Sequence, residues 1–439
     1  MDYTTGSMRK AIFMLAVPMI LEMCMESVFA VVDIFFVGKL GANATATVGL
    51  TESVLTLVYS VAIGISMAAT AMVARRVGEK NHEAASEAGV QSLLLAISIS
   101  LIISIAGLFF AEDVLRLMGA NSSIIDQGSM YTRIMLTGNM VIMLLFLING
   151  IFRGAGNAAI AMRSLWLANI CNIILCPLCI HYFGLTGAAI ATTTGRSIGV
   201  CYQLYYLFKG KGIIKITRKH FAPVWEVLKS LTNIASTATL QFLIGSASWV
   251  FLARLIAGFG SEAMAGYTIS IRLIIFFLMP AWGMSNAAAT LVGQNLGANN
   301  PARAEASVWK TAKYNAIFMG TVSLLFIIAA PFFVGLMNST PAVVETGSLA
   351  LRVISCGYLF YGVGMVMINA FNGAGDSKTP SWINFFWFWI FQIPLAYLLA
   401  HIFNIGTLGI FLAIVITETG IAITGMVLFK KGRWKQVKI

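Results

Sequence analysis

Charge is what this sequence lacks most. Only 10% of its 439 residues are Asp, Glu, Lys or Arg, against about 25% in a typical soluble domain. That excludes an ordinary water-soluble enzyme, and the apolar majority excludes a disordered chain. Acid is the scarcer sign: 17 Asp/Glu face 29 Lys/Arg, a net charge of +12. In a soluble protein that excess would suggest nucleic acid. Here the basic residues cluster between apolar runs and never interleave with aromatics, so no nucleic-acid partner is expected. Histidine is rare, at His82, His181, His220 and His401, without metal-ligand spacing. There is no His-Glu-x-x-His, no Gly-x-Ser-x-Gly and no P-loop. No catalytic residue, resident metal or cofactor is expected. The six cysteines (24, 171, 176, 179, 201, 356) all lie in or at apolar runs, which excludes a secreted disulfide scaffold. Cys176-Pro177-Leu178-Cys179 has redox spacing, but in an apolar helix its thiols read as small packing groups.

What is present is hydrocarbon: 59% of residues are hydrophobic and the mean hydropathy is +0.85. A bilayer-spanning helix needs about 20 mostly apolar residues, and twelve runs qualify: 11–37, 46–74, 88–111, 131–152, 162–182, 186–208, 230–256, 265–291, 307–334, 350–371, 381–402 and 406–429. They are far too long for barrel strands of about 10 residues. The first follows Arg9-Lys10 but contains three carboxylates and no small-residue cleavage site, so it reads as a retained helix. Basic residues set the orientation. With the N-terminus inside, 22 Lys/Arg fall on the inner side and five (Lys39, Arg116, Arg133, Arg254, Arg352) on the outer, with Arg196 and Arg272 inside spans. Both termini are therefore expected in the cytoplasm, in a multi-pass protein of the cell (inner) membrane.

The chain repeats itself. At a fixed shift of 219 residues, 12 of 48 positions match between 41–88 and 260–307, among them Gly64/Gly283, Ser66/Ser285, Gly78/Gly297 and Asn81/Asn300. The same shift pairs Phe152-Arg153-Gly154-Ala155-Gly156 with Phe371-Asn372-Gly373-Ala374-Gly375, and Gly187 with Gly406. Six spans per copy is an even number, so both copies enter from the same side, a parallel repeat. The expected architecture is an all-α membrane protein of twelve transmembrane helices. It comprises a six-helix lobe over 1–208, a basic cytoplasmic connection over 209–229, a second six-helix lobe over 230–429 and a basic cytoplasmic tail over 430–439. Two similar lobes around a cavity suit alternating access.

Ionisable groups inside spans are costly, at about 2.5–3.5 kcal/mol each on insertion scales, and point to function. The first copy carries four acids there: Glu22, Glu26, Asp33 and Glu52. Steps of four and seven put Glu22, Glu26 and Asp33 on one helix face, within roughly 40°. Shifted by 219, the four become Gln241, Gly245, Leu252 and Ile271, and the second copy keeps only Glu418. The frame is doubled but the acid is not, which points to a cation or proton site in the first lobe. A carboxylate taken out of water favours its protonated form and can load and release a proton. The same acids could instead pair with Arg196 or hydrogen-bond to neighbouring helices. Arg272 and Arg254 could neutralise acids or reach for the interface.

Several short motifs carry a resemblance. Val32-Asp33, Val37-Gly38 and Leu40-Gly41 close the first span. Arg153-Gly154-Ala155-Gly156 follows the fourth, and Gly187-Ala188-Ala189-Ile190-Ala191-Thr192 opens the sixth. With twelve spans in two halves, the chain resembles the multidrug and toxic compound extrusion (MATE) transporters over essentially its whole length. The resemblance implies a secondary antiporter that exports amphipathic organic cations in exchange for H⁺ or Na⁺, with no obligate protein partner. DinF-like members use an Asp on the first helix, an Asn and an Asp four residues apart on the fifth, and a Thr on the sixth. Asp33, Asn172 and Thr194 match three of these. Cys176 stands where the fourth has its Asp, and a neutral thiol is a poor Na⁺ ligand. NorM-like members carry an essential Glu on the seventh helix, whereas this chain has no acid from Leu231 to Ala257. The chain therefore resembles the DinF-like pattern more closely. H⁺ coupling is expected, with Glu22 and Glu26 as further proton carriers and Glu52, Arg196, Arg272 and Glu418 as a charge network. The alternatives are Na⁺ coupling, or a lipid-linked oligosaccharide flippase of the same superfamily. The flippase would want a cationic cavity, but intraspan acids outnumber intraspan Arg. A channel or a membrane-embedded enzyme are the other classes, and flux with and without an ion gradient separates them. The 22 Met, 29 Phe, 12 Tyr and 9 Trp would suit an adaptable cavity wall.

Overall fold

The structure, a computed structural model, describes residues 2–209 and 212–439. Met1, the first residue of the expected first lobe, and Gly210 and Lys211 of the basic connection lie outside the described residues. The described residues contain no strand. They form twelve helical elements: α1 (Met8–Gly38), α2 (Ala42–Gly78), α3 (His82–Leu117), α4 (Ser122–Gly154), α5 (Ala158–Phe183), α6 (Leu185–Phe208), α7 (Trp225–Ala257), α8 (Ser261–Gly297), α9 (Pro301–Met337), α10 (Pro341–Ser355 and Tyr358–Gly373), α11 (Lys378–Ile402) and α12 (Thr407–Lys430). Each corresponds to one apolar run of the sequence. In hydrocarbon a backbone must satisfy its own polar groups, and the helix does so within one segment. Among the described residues nine of these are long and apolar enough to cross a membrane, or ten counting α10, whose two parts meet at 55°. α6 is diluted by Thr192–Thr194, Arg196 and Ser197 and is not among them.

The repeat identities resolve into matching turns. α2 ends at Gly78, Lys80 takes a left-handed φ of 59°, and the Asn81 side chain accepts the Ala84 N–H at 3.0 Å to cap α3. One copy later α8 ends at Gly297, Asn299 takes φ 55°, and Asn300 accepts the Arg303 N–H at 3.0 Å to cap α9. Asn is a favoured helix N-cap because its oxygen satisfies an orphan N–H.

The chain divides into two compact units, Leu21–Thr239 with Ile439, and Asp2–Ile20 with Leu240–Lys438. Both restart points, Leu21 and Leu240, are separated by the repeat shift. The first unit therefore includes the start of α7, and the second includes the start of α1. In the first unit a Cβ on Gly64 of α2 would lie 2.7 Å from the carbonyl oxygen of Ala235 on α7. In the second, a Cβ on Gly283 of α8 would lie 2.5 Å from that of Met19 on α1. Only glycine permits either approach. The first unit buries Ala68, Leu145, Leu147, Ile148 and Ile151. It also holds the connection, whose Val224 N–H donates to Gln91 Oε1 at 3.1 Å while Gln91 Nε2 donates to the carbonyls of His220 and Ala222. The second unit buries Phe326, Ala330, Leu351, Ile410 and Phe411. Its tail is anchored by Trp434, buried and stacked on Phe429 at 4.5 Å.

One part of the single-shift alignment is corrected. Gly184 caps α6 with φ 58° and ψ −137°, and Gly406 caps α12 with φ 68° and ψ −145°. Gly187 and Gly409 each donate back to that cap carbonyl at 3.0 Å. The counterpart of Gly406 is thus Gly184, not Gly187, and the local offset is 222. The three extra residues, Phe403–Ile405, lie in the loop before α12. α11 differs from α5 as well. It widens into π-helical turns at Phe385–Gln392 and Leu398–Ile402, on either side of Pro394, which has no N–H for an α-helical bond. At the corrected offset, Glu418 on α12 is the counterpart of Arg196 on α6.

Candidate functional site

The polar residues of the first unit are gathered between α1, α4, α5 and α6. Glu22 on α1 is buried. Its Oε1 accepts from Asn149 Nδ2 on α4 at 2.9 Å and lies 3.8 Å from Arg153 Nη1. Arg153 also donates to Ser66 Oγ on α2 at 3.3 Å. Asn149 Oδ1 in turn accepts from Ser164 Oγ on α5 at 3.2 Å and from Gln203 Nε2 on α6 at 2.5 Å. One turn further along α1, half-buried Glu26 accepts from Arg196 Nη2 at 3.3 Å and from Asn169 Nδ2 at 3.3 Å. Three helices, α4, α5 and α6, thus contribute partners to two carboxylates that share one face of α1.

Asp33 differs. It is buried, and its Oδ1 has no hydrogen-bond partner. The charge it senses is Arg196, whose guanidinium already pairs with Glu26. That guanidinium lies 5.4 Å from the Phe29 ring centroid and 5.7 Å from that of Tyr59, a position that adds cation–π attraction. Asp33 also interacts electrostatically with Tyr59, Tyr131 and Cys176. Near Cys176, Asn172 Nδ2 donates to Thr192 Oγ1 at 3.0 Å, while Asn172 Oδ1 is left unpartnered. Three carboxylates (Glu22, Glu26, Asp33) face two guanidiniums (Arg153, Arg196). The cluster can therefore take up one further positive charge.

The sequence-predicted residues are distributed unevenly. Glu22, Glu26, Asp33, Asn172, Cys176 and Arg196 belong to this region of the first unit. Thr194 does not join it: it is exposed, and Thr192 is the threonine bonded to Asn172. Side chains two apart on a helix point about 200° away from each other. Glu52 on α2 is exposed yet interacts electrostatically with Tyr59 and Tyr131, as Asp33 does, while Arg272 on α8 is exposed. Arg272 and Glu418 belong to the second unit, where Glu418 is buried. The sequence does not mark Asn149, Arg153, Ser164, Asn169, Thr192 or Gln203 as ligands, although Arg153 and Thr192 fall within its motifs. Their signal was an amide or hydroxyl at helical spacing inside apolar runs. Among the described residues no group of three or more His, Cys, Asp or Glu could hold a metal ion. Cys176 and Cys179 stand as free thiols.

The sequence profile of the MatE family matches residues 18–178 and again 234–398, once in each copy of the repeat. The chain belongs to the MatE family. Members of this family are multidrug transporters with twelve membrane helices in two lobes, and α1 and α6 complete that number here. The chain is similar to a probable multidrug resistance protein NorM of Thermotoga maritima, 26% identical over 436 residues, 98% of this chain and 93% of that one. It is also similar to an FAD transporter of Shewanella oneidensis, 26% identical over 396 residues, 89% of this chain and 87% of that one. A crystal structure of a MATE transporter in complex with MaL6 superposes with a TM-score of 0.94 at 27% identity, covering 99% of this chain and 98% of that chain. This MatE chain is accordingly a multi-pass membrane protein with small-molecule substrates.

Proposed function

We propose that the protein is a secondary active multidrug efflux antiporter of the cell membrane. It exports amphipathic organic cations in exchange for H⁺ by alternating access between its two lobes. The observation that carries this reading is Asp33: a buried carboxylate with an unpartnered oxygen, whose nearest cation is already engaged by Glu26. Protonation of Asp33 would release its hold on Arg196 and let α1 rearrange around Pro18. A bound organic cation would compete for the same excess acid, so each ligand would weaken the other, which is reciprocal coupling. Buried Cys176 favours H⁺ over Na⁺ here, because its sulfur replaces a carboxylate ligand. Na⁺ coupling is the second reading, and it draws on the unpartnered oxygens of Asp33 and Asn172. The excess of acid over Arg in the cluster speaks for cationic cargo rather than an anion such as a flavin nucleotide or a lipid pyrophosphate. The asymmetry of Lys and Arg between alternate loops supports a cytoplasmic position for both termini.

The test is ethidium efflux from proteoliposomes under a pH gradient or a sodium gradient, for the parent and Asp33→Asn. The pH gradient alone should drive efflux, and Asp33→Asn should lose it. Efflux independent of any gradient would reject the antiporter, and normal transport by Asp33→Asn would reject the site.

A further inference from the structure

The second unit has a buried acid of its own. Glu418 on α12 is 6% exposed, and its Oε1 is buried without a hydrogen-bond partner. It lines a small cavity of about 10 Å³, roughly the room one water needs. The Tyr358 hydroxyl of α10 lines the same cavity and is also buried and unpartnered. The described residues around the cavity include no basic side chain. The titratable groups facing Glu418 are Tyr358 and Tyr361, both from α10. α7 contributes Trp249 and α8 contributes Ile274 and Leu278, none of which ionises, and α11 contributes nothing to the lining.

An ionised carboxylate in an apolar cavity without a counter-charge is strongly disfavoured, so the site calls for a positive ligand. A hard metal cation wants several oxygens at once, and the side chains here supply one carboxylate and two phenols. A proton needs a single oxygen. The repeat supports the same conclusion, since the counterpart of Glu418 in the first unit is Arg196. That unit places a fixed cation among its acids, while the second unit places a lone acid among aromatics. We propose that Glu418 is a proton-binding site of the second unit, loaded independently of the α1 carboxylates, with the Trp249–Tyr358–Tyr361 cavity as the space through which its proton is exchanged.

Infrared difference spectra of the full-length protein in nanodiscs, taken between alkaline and acid buffer, test this directly. A protonated-carboxyl C=O band should appear on acidification in the parent, and one component of it should persist in Asp33→Asn and be lost in Glu418→Gln. Sodium added at constant alkaline pH should leave the Glu418-dependent signal unchanged. A band that Glu418→Gln leaves unchanged would overturn the proposal, and so would a sodium-induced signal that vanishes in that variant. Should Glu418→Gln not fold, the parent protein decides. Dicyclohexylcarbodiimide reacts with protonated carboxyls, and peptide mass spectrometry should locate it on Glu418 at acid pH and severalfold less at alkaline pH. Labelling equal at both pH values would overturn the proposal. The Asp33→Asn spectrum keeps this outcome separate from that of the first-unit site.

Discussion

Arg196 has its side chain only 3% exposed, pairs with Glu26 at 3.3 Å and lies 5.4 Å and 5.7 Å from the Phe29 and Tyr59 ring centroids. Replacing it by Met leaves Glu26 with Asn169 alone. Removing one partner of a buried pair costs about 3–5 kcal/mol, and because Glu26 is partly exposed the lower end applies. Arg196→Met should lower the melting temperature in detergent, and Arg196→Met with Glu26→Gln should recover part of the loss. A double-mutant cycle with no coupling would show that the pair does not hold α1 to α6. Thr192 and Thr194 present a second contrast. Thr192→Val removes the oxygen that Asn172 donates to, so it should reduce ethidium efflux severalfold, whereas Thr194→Val should stay within twofold of the parent. Efflux that fell only in Thr194→Val would put the working threonine on the other face. Here the sequence was legible in one place and read in another. Three consecutive threonines cannot be told apart by type. Arg196, however, is four residues from Thr192 and shares its face, and an Arg inside an apolar helix must turn inward. That spacing selects Thr192 without coordinates.

At the level of helices, the twelve runs were legible because hydrocarbon thickness imposes length, and no element was missed. The caps were legible too: Gly78/Gly297 and Asn81/Asn300 matched because each pair builds the same turn. The α11–α12 corner was not. Identity at one shift pairs Gly187 with Gly406, since a letter cannot distinguish a glycine needed for positive φ from one needed for close packing. Gly184 and Gly406 are the first kind, and Gly187, whose Cβ would lie 2.0 Å from the Cys179 carbonyl oxygen, is the second. Close approach has a measurable cost. Gly64→Ala and Gly283→Ala both force a methyl into a backbone and should each destabilise by about 1–3 kcal/mol. Gly89→Ala, whose Cβ would sit 3.5 Å from Ile151, should be tolerated. Melting of the three variants by intrinsic fluorescence in detergent is the measurement. A Gly64→Ala protein as stable as Gly89→Ala would show that the α2–α7 approach is looser than described.

Across the whole chain, the asymmetry of buried charge was readable before any fold was known, because the repeat supplies its own control: Glu22, Glu26 and Asp33 correspond to Gln241, Gly245 and Leu252. What could not be read was how the chain is shared between its units. Hydropathy marks where a span lies but not which neighbours it packs against. A division at the connection puts all of α1 with the first copy and all of α7 with the second. The compact units instead begin at Leu21 and resume at Leu240, so residues 2–20 complete the second unit and 225–239 complete the first. This has a consequence for split proteins. A fragment 1–209 lacks the α7 segment that lies against Gly64, and a fragment 212–439 lacks the α1 segment that lies against Gly283. Each fragment alone would leave a small-residue face of α2 or α8 without its backbone partner. Helix association in a membrane depends on such close packing, because lipid offers no hydrophobic drive for it. Either fragment expressed alone should therefore be degraded or aggregate, whereas the two co-expressed should copurify through a tag on one of them and restore ethidium efflux in cells. Substituting Gly64→Val in the first fragment should weaken recovery of the second. A fragment 1–209 that is monodisperse and as heat-stable alone as in the pair would show that the α7 segment is not needed by the first unit.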